Sequence, residues 1–161
     1  MLNTLRELLI DQVQDLYDAE HRIIDALPRM AGAARANGLK SALVRHRKET
    51  QLHLDRLDQV FGLLGETPRG KTCRAMRGMV EEGDEALAED ANPAVRDASI
   101  LAAAQRMEHY EIAGYGTVLS YAKILKQHDI VGLFEQTLSE EKLADGALSE
   151  LADREVNVNA A

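Results

Sequence analysis

Four apolar stripes, each broken near its middle by acid, constrain this chain more than any other feature. Traced at helical spacings of three and four, the first reads Leu9, Val13, Leu16, Glu20, Ile24, Leu27 and Ala31. The second reads Leu39, Leu43, His46, Glu49, His53, Leu57, Val60 and Leu64. The third runs through Val95, Ala98, Ala102, Gln105, Glu108, Ile112, Tyr115 and Leu119. The fourth has Ile130, Phe134, Leu138, Glu141, Asp145, Leu148 and Ala152. An unpaired buried carboxylate costs several kcal/mol, so four helices that each insert one need a shared counter-charge. Lys and Arg are missing from the middle of the stripes. Two divalent cations would supply the charge.

The punctuation orders these stripes. "TLRE" at 4–7 is a capping box that starts a first helix. It runs to Asn37-Gly38, a helix stop, with a kink at Pro28. A second helix covers about 40–64 and stops at Gly65. Residues 65–92 form a long crossover holding the shorter helical piece "CRAMRGMVEEGDEALAED". Asn92 as N-cap and Pro93 open a third helix to about Lys126, and a fourth spans about Asp129 to Arg154. No strand pattern competes. The sequence predicts an all-α fold: a ferritin-like four-helix bundle with a long crossover between helices 2 and 3. Its 161 residues suit one domain over 1–155, with 156–161 as a flexible tail.

Metal chemistry accounts for the residue types, because carboxylates and imidazoles are ligands for iron, manganese and zinc. Bundles that hold two metals use one Glu from each of two helices and a paired contribution from each of the other two. Glu20 and Glu108 are the lone acids here, and Glu49 with His53 and Glu141 with Asp145 are the pairs. His46 competes with His53 as the imidazole ligand. Glu111 is an additional candidate, Tyr17 a neighbouring donor, and His109 a flanking group. Glu111, Glu140 and Glu150 also fit solvated faces. "AEHRII" and "MEHYEI" align Glu20 with Glu108 and His21 with His109, a loose repeat of two half-bundles.

Other classes find little support. The formal charge of −8 with no Lys/Arg block argues against nucleic acid. Apolar runs fall short of the ~18 residues that span a bilayer, and no signal peptide is visible, so the expectation is a cytoplasmic protein with no membrane partner. Cys73 stands alone and reads as a small buried thiol. Ser99, Ser120 and Ser139 lack a His-acid arrangement for nucleophilic catalysis.

"DLYDAEHRI", "RHRKETQLHLDRLDQVF", "AAAQRMEHYEIAGYGTVLSYA" and "LSEEKLADGALSEL" resemble the YciE/YciF-type proteins of the ferritin-like superfamily. The resemblance covers nearly the whole chain. It implies a bacterial, cytoplasmic, stress-associated protein that forms a homodimer and carries a di-metal centre. Carried over residue by residue, it implies Glu20, Glu49, Glu108 and Glu141 as ligands, followed by His53 and Asp145. The ordinary Glu-x-x-His spacing is replaced here by Glu-x-x-x-His and Glu-x-x-x-Asp. Five carboxylates and one imidazole would exceed the charge of two divalent ions by one, favouring harder or more oxidised metals. The expected function is metal binding, most simply iron, with oxidation of Fe(II) by O2 or peroxide. The alternative is a non-enzymatic stress-induced bundle with a structural metal that acts through protein partners.

Overall fold

The structure, a computed structural model, describes residues 2–161. Its elements are α1 (Leu5–Ala33), α2 (Asn37–Leu64), α3 (Arg74–Ala88), α4 (Pro93–Ile124) and α5 (His128–Leu151), then a π-helical turn Ala152–Val156 and a final turn α6 (Asn157–Ala160). Among the described residues there is no strand. α1 packs on α2 and α4 on α5, the two hairpins meet through α1–α4 and α2–α5, and α3 lies across α1 and α4. This is the four-helix bundle with a long crossover that the stripes predicted.

Local signals place most helix ends. Thr4 Oγ1 accepts from Glu7 N at 3.1 Å while Glu7 Oε2 accepts from Thr4 N at 2.9 Å, closing the capping box. Gly65 ends α2 at φ 71°, where a side chain would be strained. Asn92 Oδ1 accepts from Ala94 N at 2.9 Å. Cys73 is buried, and its Sγ caps α3 by accepting from Met76 N at 3.4 Å.

Asn37-Gly38 departs from expectation. α1 ends at Ala33, and Asn37 begins α2. The corner is held from a distance: Asp97 of α4 accepts from Arg35 N at 2.8 Å and Ala36 N at 2.6 Å. Gly38 serves close approach, since a Cβ there would fall 2.7 Å from Leu151 Cδ1. α1 continues through Pro28. The segment read as a tail stays helical through Ala160, and Val156 is buried in the core.

The core has two apolar parts. One gathers Ile23, Leu27, Leu43, Ile100, Met107 and Leu148, and the other gathers Leu16, Leu57, Val60, Tyr115, Val118 and Phe134. Where the two parts meet, every long helix carries buried polar residues: Glu20 on α1, His46, Thr50 and His53 on α2, Glu108 and Glu111 on α4, and Glu141 on α5.

Candidate metal centre

Each helix turns a different set of donors into that waist. On α2, His46, Thr50 and His53 follow spacings of four and three and occupy the inner face, all three buried. The Thr50 hydroxyl is spent on its own helix, donating to the His46 carbonyl at 3.0 Å. On α4, Glu108 and Glu111 lie one turn apart and are both buried. α1 adds Glu20 and α5 adds Glu141, both with no exposure.

Two donor groups result. Glu20, His53 and Glu141 form one, and His46, Glu108, Glu111 and Glu141 form the other, with ligand atoms in each lying within 4.8 Å of one another. Glu141 belongs to both, the position of a carboxylate able to join two cations. Together they offer four carboxylates and two imidazoles. Fully ionised, that set balances two divalent ions, one charge fewer than the sequence-based set carried.

The contacts are close but poorly satisfied. His53 Nδ1 lies 2.9 Å from Glu141 Oε1 and 3.4 Å from Glu20 Oε1, and His46 Nε2 lies 3.2 Å from Glu108 Oε1. Yet His53 Nδ1, both oxygens of Glu141, both of Glu111, and one each of Glu20 and Glu108 are buried without a hydrogen-bond partner among the described residues. Proximity without hydrogen-bond alignment is what ligands of a shared ion show. Buried polar atoms left unpaired are costly, and this donor set fits divalent transition metals. The residues present fit a di-metal group.

Protons are the other way to relieve the crowding. Burial, reinforced by the charges of Glu141 and Glu20, pushes Glu108 up to about 10. Burial and the charges of Glu141, Glu20 and Glu108 also hold Glu111 well above the carboxylate range. Burial alone would lower His53, but the Glu20 charge and contacts with Glu141 and Glu20 prevail and raise it to about 11.

A surrounding layer orients these groups. His53 Nε2 lies 3.0 Å from Glu140 Oε2, and Arg56 grips Glu140 at both oxygens, 2.5 and 2.9 Å away, while also donating to Thr137 Oγ1 at 3.1 Å. The buried Tyr115 hydroxyl donates to Glu20 Oε1.

Glu20, His53, Glu108 and Glu141 therefore come together with His46 and Glu111, while two of the expected ligands stand apart. The inner face of α2 passes through Thr50, which rotates Glu49 to the rim, where its side chain is 32% exposed and its Oε2 lies 3.7 Å from His46 Nδ1. Contact with His46 holds Glu49 below the usual carboxylate range despite partial burial. Asp145 lies between α4 and α5, its Oδ1 3.1 Å from Nε2 of the exposed His109. Tyr17 packs edge-on against His21 and Phe61, at centroid distances of 4.7 and 5.4 Å, and Tyr115 takes the donor role instead. His46 and His53 both face inward, so the sequence's choice between them dissolves. Glu140, Arg56 and Thr137 were not singled out as site residues. Their one sequence signal is position: Arg56 follows His53 by three residues, and Glu140 precedes Glu141.

Residues 4–161 match the family described as Domain of unknown function (DUF892). The chain belongs to the DUF892 family. It is 36% identical over 160 residues to protein YciF of Escherichia coli (strain K12), covering 99% of this chain and 96% of that protein. The crystal structure of YciF, an E. coli stress protein, superposes with a TM-score of 0.92 over 97% of this chain and 99% of that one. YcfI from Rhodopseudomonas palustris, proposed to be a structural protein, is 44% identical with a TM-score of 0.89, covering 91% and 94% of the two chains. A Xanthomonas campestris protein at 22% identity and a TM-score of 0.76, covering 93% and 92%, shares the fold. The YciF-type resemblance read from the sequence is thus borne out. No helix among the described residues is long and apolar enough to cross a membrane.

Proposed function

We propose that this DUF892 member binds two divalent cations inside the bundle and oxidises Fe(II) with O2 or peroxide. The observation that carries the reading is the convergence of four buried carboxylates and two imidazoles with unpartnered atoms from four helices. Glu20 and His53 would hold one cation, His46, Glu108 and Glu111 the other, and Glu141 would join them. Iron at such a centre supplies electron transfer to an oxidant. The chain's own contribution is to keep the pair dry, to hold the His53 imidazole through Glu140, and to fix Glu20 through Tyr115. Pairing of two chains is part of the proposal, and a solution mass of twice 17.8 kDa would support it.

The second reading is a structural metal in a bundle that works through partners, and the description of YcfI as a proposed structural protein supports it. Elemental analysis after anaerobic Fe(II) loading, followed by the ultraviolet-visible spectrum on adding O2 or peroxide, separates the two. The redox reading expects about two irons per chain, growth of a ferric absorbance, and loss of both in Glu108→Ala/Glu141→Ala. Zinc retained in place of iron, with no response to oxidant, would sink it in favour of the structural role.

A further inference from the structure

The two halves of the centre are unequally closed. Glu20 and His53 have no exposure, and the Glu140–Arg56 pair covers the outer edge of the His53 ring. On the other half, a crevice of about 10 Å³ opens between α2 and α5, lined by Ala42, Arg45, Glu49 and Leu148 and reaching His46 and Glu108. That space admits one water-sized group at a time. Glu49 stands at the mouth, outside both donor groups yet in contact with His46 Nδ1, while His46 Nε2 touches Glu108 inside. A chain of polar atoms thus runs from solvent to the buried carboxylates.

We infer that Glu49 is a transit carboxylate: a divalent cation is held first at the crevice mouth by Glu49, passes to His46 and Glu108, and reaches the closed Glu20–His53 half through Glu141. The inference rests on the metal-binding reading above. A hydrated cation cannot cross an apolar wall intact, because each water it sheds must be replaced by a ligand as it leaves. Glu49, His46 and Glu108 provide such replacements in order of depth. Beyond them, Glu141 is the carboxylate shared by both donor groups and so the one able to hand a cation across. Glu49 is then a positioning residue for loading rather than a resident ligand, which explains an acid on the stripe whose carboxylate stays at the rim.

Co(II) tests the route, with binding followed by visible absorbance in a stopped-flow instrument and extraction followed on adding EDTA. In Glu49→Gln, loading and extraction should both slow by roughly tenfold, while bound Co(II) per chain and its Kd stay at the wild-type values. Glu49→Asp, which keeps the charge, should recover part of both rates. A weakened Kd with faster extraction would make Glu49 a resident ligand and overturn the inference. Wild-type rates in Glu49→Gln would overturn it as well, by showing that cations take another path. Wild-type protein that binds no Co(II) in equilibrium dialysis would remove the metal-binding reading itself, a failure distinct from the other two.

Discussion

His53 shows how a single side chain is set up for metal binding by residues that never touch the metal. Its Nε2 faces Glu140 at 3.0 Å, and Arg56 holds Glu140 in place with two hydrogen bonds. Donation of Nε2–H to Glu140 leaves the Nδ1 lone pair for the interior, where Glu20 and Glu141 wait. Although burial acts to raise it, the bonds and charge of Arg56 keep Glu140 below the usual carboxylate range, so it remains an acceptor near neutral pH. Glu140→Ala should therefore weaken divalent-metal affinity by roughly 10- to 100-fold, read by competition with a chromophoric chelator. Unchanged affinity would mean that packing alone fixes the imidazole. In sequence, Glu140 reads as a solvated acid because nothing local reveals that Arg56, 84 residues away, meets it.

The helix ends that depend on neighbouring residues were legible, whereas those that depend on distant ones were not. Thr4 with Glu7, Asn92 with Pro93, and Gly65 act within a few residues, so their spacing states their role. Asn37-Gly38 misleads because glycine serves two purposes, a left-handed cap or room for a neighbour, and Leu151 beside it lies far along the chain. The same limit governs the waist. His46, Glu49 and His53 all belong to one broad stripe, and the packing of α1, α4 and α5 around α2 decides which of them points deepest. At this scale Asp97 is the informative position. It is buried on α4 and caps the α1–α2 corner through the amides of Arg35 and Ala36. Asp97→Ala removes two charge-assisted hydrogen bonds worth about 1.5–3 kcal/mol each at most. A loss of about 2–4 kcal/mol in urea denaturation follows, with Asp97→Asn recovering part of it. An effect within experimental error would show that the corner is held by packing.

The whole molecule places a polar layer between two halves of its apolar core, so its stability depends on what neutralises that layer. Without metal, protons do. Glu108 rises from 4.5 to about 10, Glu111 moves in the same direction, and His53 rises from 6.5 to about 11. Each group binds its proton more tightly folded than unfolded. Its contribution is therefore fully present below the unfolded value and drains away as pH rises toward the folded one. Glu49 and Glu140 are shifted the opposite way, so their contributions fade only as pH falls below about 4.5, outside the relevant window. The metal-free protein should thus lose thermal stability steadily from pH 5 to pH 9, by at most ~1.4 kcal/mol per pH unit for each titrating group. Divalent metal, displacing those protons, should raise the midpoint at pH 8 and flatten the profile, since ligand at 100 times its Kd contributes about 2.7 kcal/mol. Glu108→Gln/Glu111→Gln separates the two effects. Removing both acids keeps the volume and takes away their share of the titration, leaving that of His53. The metal-free variant should therefore be more stable than wild type at pH 8. It should gain less than wild type from added Mn(II) or Fe(II), since only the Glu20–His53–Glu141 group remains complete. A variant less stable than wild type at pH 8 would show that these two carboxylates hold the waist together by contacts of their own. Their burial would then be a feature of the fold rather than a cost accepted for binding metal.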